Sequence, residues 1–239
     1  CKTVKTYASN SLAALSSGIF LSDGIIDAVP DILSVSVAAG TGLIDFSRYE
    51  TRLREIQETH PEFHLAVTAF GPECLIDRHS STALHNDCSQ EYFSAWHERF
   101  WNTFCSEKNV IGVFAGALSD RTPKTDRTGL TTFDREEKKD AFWFYKAQYS
   151  ASDFVKLCSA GQTSVTTKTT DIKCYSNSSR LTLTLNNRDS GIACEKLSDC
   201  VYIFRGIKLR RKNNYIVVST GQSTDSEAVF RSRSKLTKK

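Results

Sequence analysis

The stretch LAVTAFGPE, residues 65–73, is where this chain would be expected to place a reactive group. An apolar, branched run that stops at a Gly-Pro turn predicts a β-strand ending near Gly71. Barrel enzymes carry their catalytic side chains at the carboxyl ends of such strands. Here Ala69 offers a methyl group, and the next carboxylate along the chain, Glu73, follows four residues later.

A second candidate is the basic strip RGIKLRRKNN at residues 205–214. Its cations could bind phosphate, an anionic glycan or a membrane surface, and the alternative is a solvated hairpin tip. The strip has no recognisable nucleic-acid motif and few aromatic residues on which bases could stack, so nucleic acid is not an expected partner. The candidate anion-binding residues are Arg205, Lys208, Arg210, Arg211 and Lys212.

The eight cysteines include no pair with zinc-type spacing, so we expect no metal site, and nothing in the sequence predicts a cofactor. Cys194 and Cys200 could close a small loop in an oxidising compartment, and free thiols packed as small hydrophobes are the alternative. No apolar run approaches the roughly 18 residues of a membrane span. Cys1 opens the sequence, which fits a fragment or the lipid-bearing residue of a lipoprotein, and the expectation is an extracytoplasmic location.

Residues 1–150 alternate strand-like runs with amphipathic helical patterns, which predicts a parallel α/β sheet with right-handed crossovers. The predicted strands are residues 3–9, 31–39, 63–71 and 109–117. A further helix is expected at 137–148. Two other helices are predicted from apolar residues at helical spacing, namely Phe46, Tyr49, Leu53 and Ile56 in one, and Phe93, Trp96, Phe100 and Phe104 in the other.

Residues 151–230 have a different pattern, with short period-two runs separated by turn signals, and they predict an antiparallel β-sandwich. A basic tail follows at 231–239. Charge divides in the same place, because residues 1–150 have a net charge of −5 and residues 151–239 have +9. The sequence therefore predicts two units with different surfaces.

Two sequence runs relate these units to a known family by resemblance. The run GLTTFDREEKKDAFWFYKAQYS, residues 129–150, closely resembles the end of the catalytic barrel in glycoside hydrolase family 2, the β-galactosidase and β-glucuronidase family. The run DIKCYSNSSRLTLTLNN, residues 171–187, is similar to the start of the immunoglobulin-like domain that follows that barrel. The resemblance implies the C-terminal half of a (β/α)8 TIM barrel followed by an immunoglobulin-like β-sandwich.

The same resemblance aligns TAFG, residues 68–71, with the motif that carries the family's nucleophilic Glu, so Ala69 occupies the nucleophile position. The second Glu, the acid/base of a retaining mechanism, would lie in the other half of the barrel. Two more pocket segments depart from the family pattern. SVAAGTG at 36–42 replaces a polar and aromatic run, and Gly116 and Ala117 stand where the family has Trp-Asn.

Four polar residues could still serve the pocket. Glu73 could replace the nucleophile if the alignment slipped by four residues, and a solvated loop carboxylate is the alternative. His79, His85 and Asp120 are candidates for substrate binding, against roles as structural or exposed loop residues.

The leading hypothesis is a non-catalytic relative of family 2 glycoside hydrolases with a binding or structural role. The alternative is part of an active retaining β-galactosidase or β-glucuronidase type enzyme, hydrolysing O-glycosyl bonds, that an N-terminal half completes. Expected partners are a carbohydrate and a second polypeptide or larger assembly that supplies the rest of the barrel.

Overall fold

In a computed structural model of the chain, the described residues are 10–18, 30–37, 46–80, 87–105, 107–158 and 164–232. The chain divides into two compact units, Cys1–Glu137 and Lys138–Lys239. The division falls before the predicted boundary, so the helix at the end of the family motif belongs to the second unit.

The first unit is built on a parallel sheet whose strand order is β1-β2-β3-β4. Helix α1 (Phe46–Thr59) connects β2 to β3, and helix α2 (Gln90–Phe104) connects β3 to β4. Parallel neighbours need such crossovers. The strands are β1 (Ala14–Gly18), β2 (Ile32–Ser36), β3 (His64–Phe70) and β4 (Val110–Ala115).

Both helices bury the apolar faces that the sequence predicts. In α1 the predicted residues Phe46 and Leu53 are 4% and 1% exposed, and in α2 the ring of Phe100 is fully buried. The faces meet through aromatic contacts, with the rings of Phe46 and Trp96 centred 5.0 Å apart. Burying a large apolar side chain contributes about 1.5–3 kcal/mol, so these faces hold the helices to the sheet.

Helix α2 begins at a defined cap. The Ser89 hydroxyl accepts a hydrogen bond from the amide N–H of Tyr92 at 3.1 Å, and Glu91 places a carboxylate in the first turn. Both features satisfy or complement the free N–H groups of a helix start. The cap fixes where the loop after β3 must end.

The second unit contains helix α3 (Asp140–Tyr149) and two mainly antiparallel sheets, with strand orders β10-β11-β7-β5 and β6-β13-β12-β8-β9. The only parallel pairing described in these sheets joins β13 to β6. The strands are β5 (Val155–Leu157), β6 (Ser164–Val165), β7 (Thr169–Ser176), β8 (Thr182–Leu185), β9 (Arg188–Asp189), β10 (Glu195–Ser198), β11 (Val201–Lys208), β12 (Lys212–Ser219) and β13 (Thr224–Arg231).

The two sheets share one hydrophobic core. Phe204 and Ile207 of β11 meet Ile216 and Val218 of β12, and all four are buried. Alternate residues of β12 face this core, as the period-two pattern predicts. Asp225 of β13 adds a polar link, because its carboxylate accepts from the Leu157 amide at 2.8 Å and pairs with a lysine of β5.

The sequence expectations for the first strand and for a disulfide need separate comment. The strand predicted at 3–9 lies outside the described residues, whereas a strand at Ala14–Gly18 was not predicted. Its sequence, ALSSG, is small and polar and has no apolar alternation to reveal it. Cys194 and Cys200 are free thiols, so the alternative of a disulfide between them is wrong for this structure.

Candidate functional site

The carboxyl end of β3 has an irregular backbone. Thr68 pairs with Phe114 and Phe70 pairs with Ala115, so Ala69 is an extra residue between two ladder positions. Its φ is 55°, in the left-handed region that favours glycine. Such β-bulges re-aim a side chain and are enriched beside active sites. Ala69 is therefore at a special position although it carries an ordinary side chain.

Apolar packing fixes this irregular strand end. The ring of Phe70 stacks on that of Phe100 with centroids 4.2 Å apart, and it also meets His97 at 5.4 Å. Gly71 has φ 129°, and a Cβ built there would lie 2.9 Å from His97 Nε2. The amide of Gly116, just beyond β4, donates to the Phe70 carbonyl at 2.9 Å. Sequence reasoning missed His97, which lies on the apolar face of α2.

The described strand ends supply no carboxylate. The last residues of β1 to β4 are Gly18, Ser36, Phe70 and Ala115, and Gly116 and Ala117 follow β4 directly. Two hydroxyl groups lie on the described strand residues close to Ala69. Ser34 and Thr68 Oγ atoms lie 3.3 Å apart, and the Thr68 hydroxyl donates to the Val35 carbonyl. Hydroxyls can hydrogen-bond a ligand, but none of these described strand-end residues carries the carboxylate of a glycosidase nucleophile.

Glu73 lies in the loop after β3 and is partly buried. The loop is attached to a second loop, because the Cys74 amide donates to the Arg127 carbonyl at 3.0 Å. No hydrogen bond or ion pair to another described residue holds the Glu73 carboxylate. A substitute nucleophile needs a fixed attack geometry, and the part of the chain that is described provides none for Glu73.

His79 is engaged with the start of α2. Its Nδ1 lies 3.0 Å from Glu91 Oε1, and the other oxygen of Glu91 accepts from the Ser80 amide at 2.9 Å. This arrangement closes the loop against the helix. His85, the next candidate, lies outside the described residues.

Asp120 has a structural contact of the same kind. Its side chain is buried, and Oδ1 accepts from the amide of Gly129 at 2.9 Å. A Cβ at Gly129 would lie 2.2 Å from the Asp120 nitrogen, so only glycine allows the two segments this close. The structure therefore places His79 and Asp120 in separate contacts and does not bring them together at one pocket.

The motif that carries the family resemblance forms a tight turn. The Thr132 hydroxyl donates to Asp134 Oδ1, and the amide of Glu136 donates to the same oxygen at 3.1 Å. These hydrogen bonds, led by that of Thr132, hold the pKa of the Asp134 carboxyl below its usual value. Arg135 takes a left-handed φ of 66° within the turn. The motif's Asp-Arg pair is thus accounted for by local folding.

A surface groove of about 510 Å³ lies elsewhere in the first unit. It is near the amino end of β4, whereas Ala69 is near the carboxyl end of the neighbouring parallel strand, so the groove and the bulge are at opposite edges of the sheet. The lining residues are Arg54, Gln57, Glu58, Glu107, Lys108 and Asn109.

The basic strip divides into one neutralised cation and several exposed ones. Arg205 Nε lies 2.7 Å from Glu195 Oε2, and its Nη1 lies 3.3 Å from Asp171 Oδ2. The Glu195 hydrogen bond is the main reason that the pKa of Arg205 is raised. No such ion pair involves the other predicted cations within the described ranges, namely Lys208, Arg210, Arg211 and Lys212.

The described residues contain neither a cluster of metal-binding side chains nor a helix that could span a membrane. No three His, Cys, Asp or Glu side chains there are placed to hold one metal ion. Likewise, the described helices include none that is long and apolar enough to cross a bilayer.

No protein-family model matches the chain. Among curated proteins, a β-glucuronidase of Bacteroides fragilis is 29% identical over 121 residues, which are 43% of this chain and 17% of that protein. The chain thus spans about a sixth of the length of this relative. The predicted resemblance to β-glucuronidases and β-galactosidases is confirmed at this level.

Solved structures extend the similarity of fold to nearly the whole chain. An FMN-binding β-glucuronidase from Faecalibacterium prausnitzii L2-6 matches 99% of this chain and 38% of its own, with a TM-score of 0.85 and 20% identity. A β-galactosidase from Bacteroides fragilis, described as putative, matches 98% of this chain and 38% of its own, with a TM-score of 0.82 and 21% identity. At these identities the likeness establishes the fold.

Proposed function

We propose that this chain is the C-terminal portion of a family 2 glycoside hydrolase type protein in which this portion of the site binds carbohydrate without hydrolysing it. It would consist of half of a (β/α)8 barrel and an immunoglobulin-like sandwich. The parallel strand-helix order of the first unit and the two-sheet core of the second support this assignment.

The bulge at Ala69 carries the functional part of the proposal. The left-handed backbone at Ala69 is less favourable for alanine than for glycine. A strand whose only role was core packing would not need this backbone conformation. Retaining glycosidases use two carboxyl groups about 5–5.5 Å apart, one of which forms a bond to the sugar. A methyl group has no electron pair with which to form that bond. The backbone arrangement is therefore present without the nucleophile.

The surroundings of the bulge favour the interpretation that several groups of a catalytic site are missing, and not the nucleophile alone. Gly116 and Ala117 after β4 offer no aromatic face to a sugar ring. Ser34 and Thr68 remain as hydroxyl groups that can hydrogen-bond a glycan. Weak binding of a sugar without turnover is the expected behaviour of such a site.

A covalent probe tests the proposal directly. We would incubate the chain with aryl β-glucuronides and β-galactosides, and separately with a cyclophellitol-type aziridine, which alkylates a correctly placed carboxylate. The expected result is no hydrolysis above the blank and no added mass by intact mass spectrometry. Hydrolysis, or an adduct mapped to Glu73 and absent from the Glu73→Gln variant, would overturn it.

A second candidate function is an active glycosidase that further sequence or another polypeptide completes. The observation in its favour is that the chain spans 38% of the matched F. prausnitzii structure, so an acid/base carboxylate could be supplied from outside the chain. Native mass spectrometry of the protein from its source would test this. A second polypeptide whose association brings both hydrolysis and covalent labelling would favour the enzyme, and inert material in any assembly would favour the binding protein.

A further inference from the structure

The turn between β11 and β12 forms an exposed basic surface. We call residues 208–212 the basic hairpin, and four of its five side chains are cationic. Lys168 and Arg231 extend it, since the Lys168 carbonyl accepts from the Leu209 amide at 2.9 Å and Arg231 Nη1 donates to the Leu209 carbonyl at 3.1 Å. Two neighbouring segments therefore add cations to the same end of the second unit.

A buried amide holds the basic hairpin in one conformation. Asn214 is 1% exposed, and its Oδ1 accepts from the Arg210 amide at 2.9 Å. Its Nδ2 donates to the Arg210 carbonyl at 2.8 Å and to the Lys212 carbonyl at 3.2 Å. A loop that is already ordered loses less conformational entropy when it binds a ligand. The hairpin thus presents its cations from a fixed backbone.

The hairpin cations lack neutralising partners within the described residues. On the same strand, Arg205 has Glu195 and Asp171 beside it, whereas no carboxylate lies within ion-pair distance of Lys208, Arg210 or the rest of the hairpin. Clustered like charges repel each other in the free protein and attract a polyanion. The contrast within one strand indicates that the exposed charge is concentrated at the hairpin.

Two aromatic side chains lie beside the hairpin on the outward face of its sheet. Tyr215 is 46% exposed and Phe230 is 44% exposed. Phe230 pairs across the strands with Asn213, and Tyr215 pairs with Ala228, so the two rings are diagonal neighbours on one face. The hydroxyl of Tyr215 donates to Ser226 Oγ at 2.9 Å, which orients its ring. Such rings can pack against the C–H face of a sugar.

We propose that the basic hairpin binds a carboxylate-bearing polysaccharide. Its uronate groups would contact Arg210, Arg211 and the flanking lysines, while sugar rings pack on Tyr215 and Phe230. Guanidinium groups suit this role because they bind carboxylates through two parallel hydrogen bonds. The choice of a polysaccharide over another polyanion rests on the proposed function, whereas the charge and the aromatic face belong to the hairpin itself.

The test is calorimetric titration of the chain with a glucuronate oligosaccharide at low and high salt. We expect binding that weakens with salt, and an affinity about tenfold lower for the double variant Arg210→Gln/Arg211→Gln. The matched control, Lys138→Gln/Lys146→Gln, removes the same charge from lysines that lie over the Trp143 ring, and it should keep the parent affinity.

Three outcomes would overturn the inference: no binding of the oligosaccharide, an equal loss of affinity in both double variants, or tighter binding of single-stranded RNA or anionic vesicles. These outcomes are independent of the covalent-probe experiment. A chain that fails to bind uronate and also stays unlabelled contradicts only this inference. A chain that binds uronate at the hairpin but hydrolyses aryl glucuronides contradicts only the proposed function.

Discussion

The end of β3 and the basic hairpin each contain a non-glycine residue with a left-handed backbone. Apolar packing stabilises this conformation at the first site, and hydrogen bonds from a polar side chain stabilise it at the second. Ala69 has φ 55° and Lys212 has φ 73°. Around Ala69 the neighbouring residues that fix the strand end are apolar or aromatic, with Phe70 stacked on Phe100. Around Lys212 a buried amide, that of Asn214, binds the backbone directly.

In these two regions, the contacts that fix the backbone are separate from the side chains that could carry chemistry. At the β3 end, packing preserves a bulge of the kind that aims a reactive group, although the side chain there is a methyl. At the hairpin, a polar network serves to present cations, which are themselves the chemistry. Under the proposed function, the backbone of a reactive position persists at Ala69 without a carboxylate side chain.

The largest effect is expected from Asn214→Ala. It leaves the Arg210 amide and two carbonyls without their buried partner, so the second unit should lose about 3 kcal/mol of unfolding free energy. Chemical denaturation would measure this loss. Alkylation of Cys174 gives a second readout, because that thiol is fully buried and burial raises its pKa, so it should react only when the unit opens.

The control is Asn213→Ala, on the exposed face of the same strand. It should change the unfolding free energy by less than about 0.5 kcal/mol, as most surface substitutions do. If the two variants were equally stable, the conformation of the basic hairpin would not depend on the buried amide of Asn214.

Gly71→Ala tests the packing at the other region. The new Cβ would meet His97 Nε2 at 2.9 Å, and φ 129° is strained for alanine. His97 cannot easily move away, because the ring of Phe93 is centred 4.5 Å from its own. We expect a loss of about 2 kcal/mol by thermal or chemical denaturation.

Gly18→Ala is the matched control, since no atom of the described residues lies within 4 Å of a Cβ at that strand end. It should leave the free energy of unfolding unchanged or raise it by up to about 1 kcal/mol, because alanine restricts the unfolded chain. A small effect in both variants would mean that the β3 end is held loosely, in contrast to the hairpin.

The sequence predicted well where one strong periodic signal decides the structure. Apolar spacing located both long helices and their buried residues, such as Leu53 and Phe100, as well as β3 and β4. It could not find β1, because ALSSG is small and mostly exposed. It also could not reveal the bulge, since a positive φ at alanine has no compositional signal.

For the candidate site, the sequence located Ala69 but not the contacts that fix it. The sequence counted Arg205 with the hairpin cations because both lie in one basic run, and only the folded sheet brings Glu195 beside it. The role of Asn214 could have been predicted from the alternation of residues in its strand. It occupies an inward position of the alternation Asn214, Ile216, Val218, where a polar residue must find partners.

The smallest effect, and the sharpest test of the bulge, is expected from Ala69→Gly. Glycine removes the left-handed penalty of alanine but adds entropy to the unfolded chain, so the net gain should be about 1 kcal/mol at most. Ala66→Gly is the control three residues earlier on β3, where the side chain is buried, φ is outside the left-handed region and the residue pairs in register with Ser34 of β2. That change should cost about 1 kcal/mol.

The two variants make the same Ala→Gly substitution on the same strand. Changes of opposite sign in the free energy of unfolding, measured by denaturation, would therefore come from the bulge at Ala69. Equal losses would mean that Ala69 is an ordinary strand residue and that this strand end does not keep the geometry of a reactive position.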